Sequence, residues 1–162
     1  MSAPMPVPLR RAMAPFASGG GRRTGGGRRG AGARGARATR RVLIVDDEAL
    51  VALTLEAIVQ DMGHEVAGAA ANPIDAVALA VRTDPDVVLM DVRLGRIGDE
   101  GIATAAEIRA RTRAAIVFVT AYADGGTIAR IEAAVPGARV LAKPVSDSEL
   151  AEAIDAATAT GS

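Results

Sequence analysis

Three acids stand side by side, Asp46, Asp47 and Glu48, directly after the apolar run "VLIV". Like charges that close repel, and a half-buried carboxylate is costly unless something compensates it. Asp91 follows "VVLM", Thr120 closes "AIVFVT", and Lys143 and Pro144 follow "VLA". A hard divalent cation compensates clustered carboxylates, and Mg²⁺ favours one or two of them together with waters and phosphate oxygens. A carboxylate can also attack phosphorus as a nucleophile and form an acyl phosphate. The charge that develops on the phosphoryl oxygens then calls for a cation, a hydroxyl donor and a metal. Asp91 as acceptor, Lys143, Thr120 and Mg²⁺ fill these roles, with Asp46 and Asp47 holding the metal.

Taken singly, each residue has a plain structural explanation. Asp46 or Asp47 could cap a helix, Asp91 could be a loop acid, Thr120 could end a strand, Lys143 could be a surface lysine and Pro144 a helix stop. Only their convergence speaks for chemistry, and convergence depends on the elements that carry them.

Those elements alternate. Apolar stretches of strand length fall at Arg41–Val45, weakly at Glu65–Gly68, inside "DPDVVLMD", in "AAIVFVT" and at Ala138–Leu141. Between and after them lie segments of helical period. Glu48–Met62 has Leu50, Leu53, Ile58 and Met62 near helical spacing and Gly63 where a C-cap belongs. Pro73–Val81 has Asn72 as cap. Gly101–Arg111 and Ile128–Ala134 follow, the latter with a soft start at Gly125 and Gly126. Ser146–Ala157 opens on a capping box with Glu149. Strands apolar throughout are buried on both faces. The β-α order therefore predicts an α/β fold with a parallel five-stranded sheet and helices on both faces. In such sheets, sites form beyond the carboxyl ends of the strands, which is where the three carboxylates, Thr120 and Lys143 fall. His64, at a turn before the second strand, is expected at the surface and away from this rim.

The chain of 162 residues has zero formal net charge, but the charge is divided. Residues 1–41 hold ten arginines and no acid; the rest holds nine basic residues against nineteen acids, a net −10. Residues 1–40, rich in Gly and Arg, are expected to be a disordered tail, and 41–160 the folded domain. Clustered arginine can neutralise nucleic-acid phosphates, yet the tail has one aromatic, Phe16, for stacking. A spacer, or an upstream stretch included by a misplaced start codon, accounts for it more simply, and a loose electrostatic contact with the acidic domain is a third reading. The absence of cysteine excludes a disulfide framework and a zinc–thiolate site. No apolar run reaches the roughly 18 residues a membrane span needs. A cytoplasmic location is expected.

With "VLIVDDE", "VVLMDVRL", "VFVTAY" and "VLAKP" in this order, residues 41–160 resemble a receiver domain of two-component response regulators. The resemblance implies a flavodoxin-like (βα)5 fold with strand order 2-1-3-4-5. It implies Asp91 as phosphoacceptor, Asp46 and Asp47 as the acidic pair with Asp47 the direct metal ligand, and the Arg93 carbonyl as a further ligand. Thr120 and Lys143 would contact the phosphoryl group, and the Lys143–Pro144 bond would be cis. The donor would be a histidine kinase or a histidine phosphotransfer protein, and the protein would not be an enzyme beyond its own phosphorylation and dephosphorylation. The wording "DVRL" and "FVTAY" is similar to single-domain receivers of GC-rich bacteria. With only "TATGS" after the last helix, a stand-alone receiver signalling by protein contact or relay is expected.

Three departures accompany the resemblance. Val140 stands where the family usually has the aromatic switch residue, and the nearby aromatic is Tyr122. The loop after Asp91, "VRLGRIGDEGIA", lacks the usual proline and carries Gly95, Gly98 and Gly101 as flexible points. Arg93 and Tyr122 occupy positions that tune access of the hydrolytic water, so a long-lived phosphoryl group is expected. The competing functions are a receiver-like adaptor that needs no phosphorylation, and a nucleic-acid-associated regulator working through the tail. A phosphatase of similar topology fits less well, because "MDVRL" offers a single acid.

Overall fold

The computed structural model describes residues 37–95 and 98–160. Five strands and five helices alternate: β1 Arg41–Val45, α1 Ala49–Asp61, β2 Glu65–Ala70, α2 Pro73–Thr83, β3 Val87–Met90, α3 Glu100–Arg111, β4 Ala115–Thr120, α4 Gly125–Ala134, β5 Arg139–Ala142 and α5 Asp147–Ala159. The strands form one parallel sheet in the order β2-β1-β3-β4-β5, the flavodoxin-like order expected.

Side chains alternate across the pleat, so each buried strand feeds two cores. Leu43, Val45, Val88, Met90, Ile116 and Phe118 pack against α2, α3 and α4. Val42, Ile44, Val87, Leu89, Val117 and Val119 pack against α1 and α5. Each of these side chains contributes about 1.5–3 kcal/mol on full burial. Helix ends follow the sequence signals. Asn72 accepts the Asp75 N–H at the start of α2. Ser146 and Glu149 form the capping box of α5. At the end of α1 the Gly63 N–H donates to the Gln60 carbonyl and the His64 N–H to the Val59 carbonyl. That pairing needs a left-handed residue, and Gly63 has φ +83°.

Several expectations need correction. The core-facing stripe of α1 is Ala52, Leu55 and Val59, whereas Leu50 and Leu53 are 78% and 61% exposed. Two apolar stripes interlace on α1, and only one meets the sheet. Gly101 is not a flexible loop glycine but a buried residue in the first turn of α3. His64 is buried at 7% exposure rather than lying on the surface: the turn that closes α1 folds it under the chain entering β1, where its Nδ1 accepts the Arg40 N–H at 3.1 Å. Helix α4 starts at Gly125 because Asp124 caps it, accepting the Thr127 N–H. The tail expected over 1–40 lies outside the described residues except for its last four. Of these, Arg37 pairs with Asp155 and the Arg40 carbonyl accepts the Glu65 N–H.

Candidate phosphoacceptor site

The sheet ladder runs on past the strand ends and fixes the site backbone. The Asp46 N–H donates to the Ala70 carbonyl, the Asp91 N–H to Val45 and the Lys143 N–H to Thr120, at 2.9–3.1 Å. Asp46, Asp91, Thr120 and Lys143 are thereby held at the carboxyl edge of four adjacent strands, with Asp46, Asp91 and Thr120 buried. The Lys143–Pro144 peptide is cis.

Lys143 Nζ lies 2.7 Å from Asp46 Oδ2 and 3.3 Å from Asp91 Oδ2. Asp46 Oδ1 accepts the Glu48 N–H at 2.9 Å, which fixes the carboxylate across the start of α1. Asp91 Oδ1 accepts the Arg93 N–H at 3.3 Å. Burial pushes the Asp91 carboxyl above the usual carboxylate range, and the charge of Asp46 adds to this while Lys143 opposes it. For Lys143, burial works against the charged form, but its hydrogen bond to Asp46 and the charges of Asp91 and Asp46 outweigh it and raise its pKa.

Carboxylate oxygens of Asp46, Glu48 and Asp91 all lie within 4.8 Å of one another. Three acids beside one ammonium, which pairs with Asp46 and Asp91, are under-neutralised, and hard oxygen donors so close suit a hard divalent cation. Asp47, expected as the direct ligand, is exposed and turned to the next loop, where its Oδ2 accepts the Gly95 N–H at 3.0 Å. Glu48 is the acid that sequence reasoning did not assign. Chain alternation was the available signal: residues 46 and 48 share a side where the backbone is extended, and Glu48 has φ −86°, ψ 104°. Glu48 is also the N-cap residue of α1 and makes no side-chain cap bond, so neither Asp46 nor Asp47 serves as the helix cap.

Thr120 is fully buried, and its Oγ1 accepts the Tyr122 N–H at 3.1 Å. Tyr122 points outward, 44% exposed, with the Arg93 guanidinium 3.8 Å from its ring centroid. This pair bridges the loops after β3 and β4. Arg130 of α4 pairs with Asp99 before α3 and adds a second link. Val140 is half-buried, in register with Phe118, and packs on the core beside α4. Gly101 sits where an added Cβ would come 1.8 Å from the Asp91 carbonyl oxygen, so α3 closes directly onto the backbone of Asp91.

A parallel five-stranded sheet in this order with this rim defines a receiver-type domain. The chain belongs to the response regulator receiver domain family, whose model matches residues 42–155. It is 40% identical over 123 residues to the transcriptional regulatory protein PdtaR of Mycobacterium tuberculosis, covering 75% of this chain and 58% of that protein. It is 35% identical to the chemotaxis protein CheY of Thermotoga maritima, covering 72% of this chain and 95% of CheY. Among solved structures it is similar to the receiver domain of a sensor histidine kinase from Pseudomonas aeruginosa PAO1, described with a magnesium ion coordinated in the active-site cleft. There the TM-score is 0.65 at 30% identity, covering 75% of this chain and 99% of that one. Receivers are signalling modules of two-component systems that bind Mg²⁺ at an acidic pocket and meet histidine kinases or phosphotransfer proteins. Among the described residues, no helix is long and apolar enough to cross a membrane.

Proposed function

We propose that this domain accepts a phosphoryl group on Asp91 from a phosphohistidine donor and signals by protein contact. The observation that carries this is the placement of Lys143 between Asp46 and Asp91, at 2.7 and 3.3 Å, on the rim that also holds Thr120. An Asp91 carboxylate oxygen attacks phosphorus, the P–N bond to the donor imidazole breaks, and the imidazole leaves with the bonding pair. Lys143 offers a positive charge to the phosphoryl oxygens. Thr120 already accepts the Tyr122 N–H, so its hydroxyl proton is left to donate to the same group. Asp46, Glu48 and Asp91 would hold Mg²⁺, with Asp47 and the Arg93 carbonyl as further candidates on the loop side. The metal, when bound, neutralises the acids and the incoming phosphate charge.

The donor has to reach over this rim. The exposed Leu50 on α1 and a groove of about 490 Å³ lined by Thr54, Ile58, Pro144 and Val145 lie beside Lys143 and offer an apolar seat for it. The stacked Arg93 and Tyr122 cover the outer side of the rim and slow the entry of water, so the phosphoryl group is long-lived. Intact-protein mass after treatment with acetyl phosphate and Mg²⁺ tests the assignment. One added phosphoryl group in the wild type and none in Asp91→Asn is the expected result. No gain in either, with no magnesium binding, would leave a receiver-like adaptor.

A further inference from the structure

The end of the sheet opposite Asp91 carries a cavity of about 470 Å³. Three arginines from separate elements line it: Arg109 in the last turn of α3, Arg113 in the α3–β4 loop and Arg139 at the start of β5. No acid lines it. Among the described residues none of the three has a carboxylate partner, although this domain carries ten more acids than bases beyond residue 41. Arg113 also borders a neighbouring recess that holds Asp84 and Asp86, of which Asp86 is engaged by the Arg41 N–H at 2.7 Å, and at the cavity's edge Glu132 is engaged by the Gly137 N–H at 3.2 Å.

Helix-dipole compensation accounts for Arg109, which also donates to the Pro136 carbonyl at 3.0 Å. It does not account for Arg113 or Arg139, which lie outside any helix. Unpartnered guanidinium groups around one concavity disfavour each other unless an anion joins them, and Arg is suited to forked contacts with phosphate oxygens. The remaining wall combines an apolar part, with Ile116, Ala156 and Ala157, and the hydroxyl-bearing Thr112 and Thr160, and the volume falls in the range of small-molecule sites, about 300–1,000 Å³.

We propose that this cavity binds a small organic phosphate of mononucleotide size, its phosphate held by Arg113 and Arg139 and its ring on the apolar wall. Three positive charges match a di- or trianionic phosphate better than a single carboxylate.

The test is an amide NMR titration of the full chain with AMP and ADP, in EDTA and at about 50 mM salt, where exposed charge pairs are little screened. Shifts confined to residues 109–116, 136–139 and 156–160 are expected. Arg113→Ala combined with Arg139→Ala, both exposed positions whose fold circular dichroism can verify, should weaken binding at least about tenfold. No shifts on this rim at millimolar nucleotide would overturn the proposal. So would shifts the double variant leaves unchanged, which would place the nucleotide on the tail or the acidic rim. Binding of an oligoglutamate peptide but not of nucleotide would also overturn it, by making the surface a protein contact.

Discussion

Asp46 Oδ2 and Lys143 Nζ lie 2.7 Å apart although 97 residues separate them in the chain. The same ammonium reaches Asp91 Oδ2 at 3.3 Å, so one positive charge serves two buried acids. The arrangement is short of positive charge: burial, aided by the charge of Asp46, raises the pKa of Asp91 against the pull of Lys143, and the Glu48 carboxylate lies close to both acids as well.

Lys143→Met removes the only ammonium at this rim among the described residues and leaves the acids facing each other. Without metal, the variant should lose about 1–3 kcal/mol of stability at pH 7.5. The loss should shrink as pH falls and the carboxyls take up protons. Urea unfolding in EDTA at pH 5 and pH 7.5 measures both; an unchanged midpoint at pH 7.5 would refute the charge account. Phosphorylation by acetyl phosphate should also slow about a hundredfold or more, the scale set by loss of one preorganised stabilising group.

Gly101→Ala is predicted to disturb the acceptor although position 101 lies outside the acidic rim. The new Cβ would meet the Asp91 carbonyl oxygen at 1.8 Å and that of Val92 at 2.6 Å, both backbone atoms that move only with their loop. Overpacking of this kind costs about 1–3 kcal/mol. The urea midpoint should fall and the rate of Asp91 phosphorylation should fall with it. A variant as stable and as fast as wild type would show that α3 can retreat freely from β3.

His64 gives the domain a pH dependence of known sign. Burial, opposed by the charge of Asp155 and aided by Arg37 and Arg40, holds its pKa below the ordinary 6.5. As pH falls through 6.5 the unfolded chain takes up a proton that the folded chain does not. Stability therefore falls from about pH 6.5 down to the lowered folded pKa and levels below it. His64→Phe, which keeps the ring but cannot titrate, should flatten that part of the curve. Its loss of the Arg40 N–H acceptor should cost about 1 kcal/mol at all pH values. Urea midpoints between pH 5 and 7.5 with parallel slopes for both proteins would contradict the assignment.

The fold was legible because its signals are local. Fully apolar runs, the Asn72 cap and the Ser146–Glu149 box name their elements without tertiary help. The rim was legible because Asp46, Asp91 and Lys143 each follow directly on a strand and Thr120 ends one, so the sheet alone aligns them. What escaped depends on direction and contact. Whether Leu50 or Ala52 meets the sheet depends on the rotation of α1, and both stripes have helical period. Glu48 joins Asp46 and Asp91 because its own backbone is still extended just before α1 begins, after the bend at Asp47. The burial of His64 comes from the entry path of Arg40, a long-range contact with no local signature. The need for glycine at 101 comes from the closeness of two elements, which no spacing in "GDEGIA" reveals.

The stacked Arg93 and Tyr122 set the last expectation. With the guanidinium 3.8 Å from the ring centroid, each side chain holds the other between the loops that follow β3 and β4. An exposed cation–π contact is worth about 0.5–1 kcal/mol, which converts to about a two- to fivefold change in the rate of a step it guards. Once Asp91 is phosphorylated, Tyr122→Ala and Arg93→Ala should each speed loss of the phosphoryl group by about that factor. The double variant should be little faster than either single one, because one contact is broken in all three. Decay of the phosphorylated species by intact mass gives the rates. Additive effects would mean that the two side chains shield the site separately, and slower decay in either variant would mean that the pair assists water rather than excluding it.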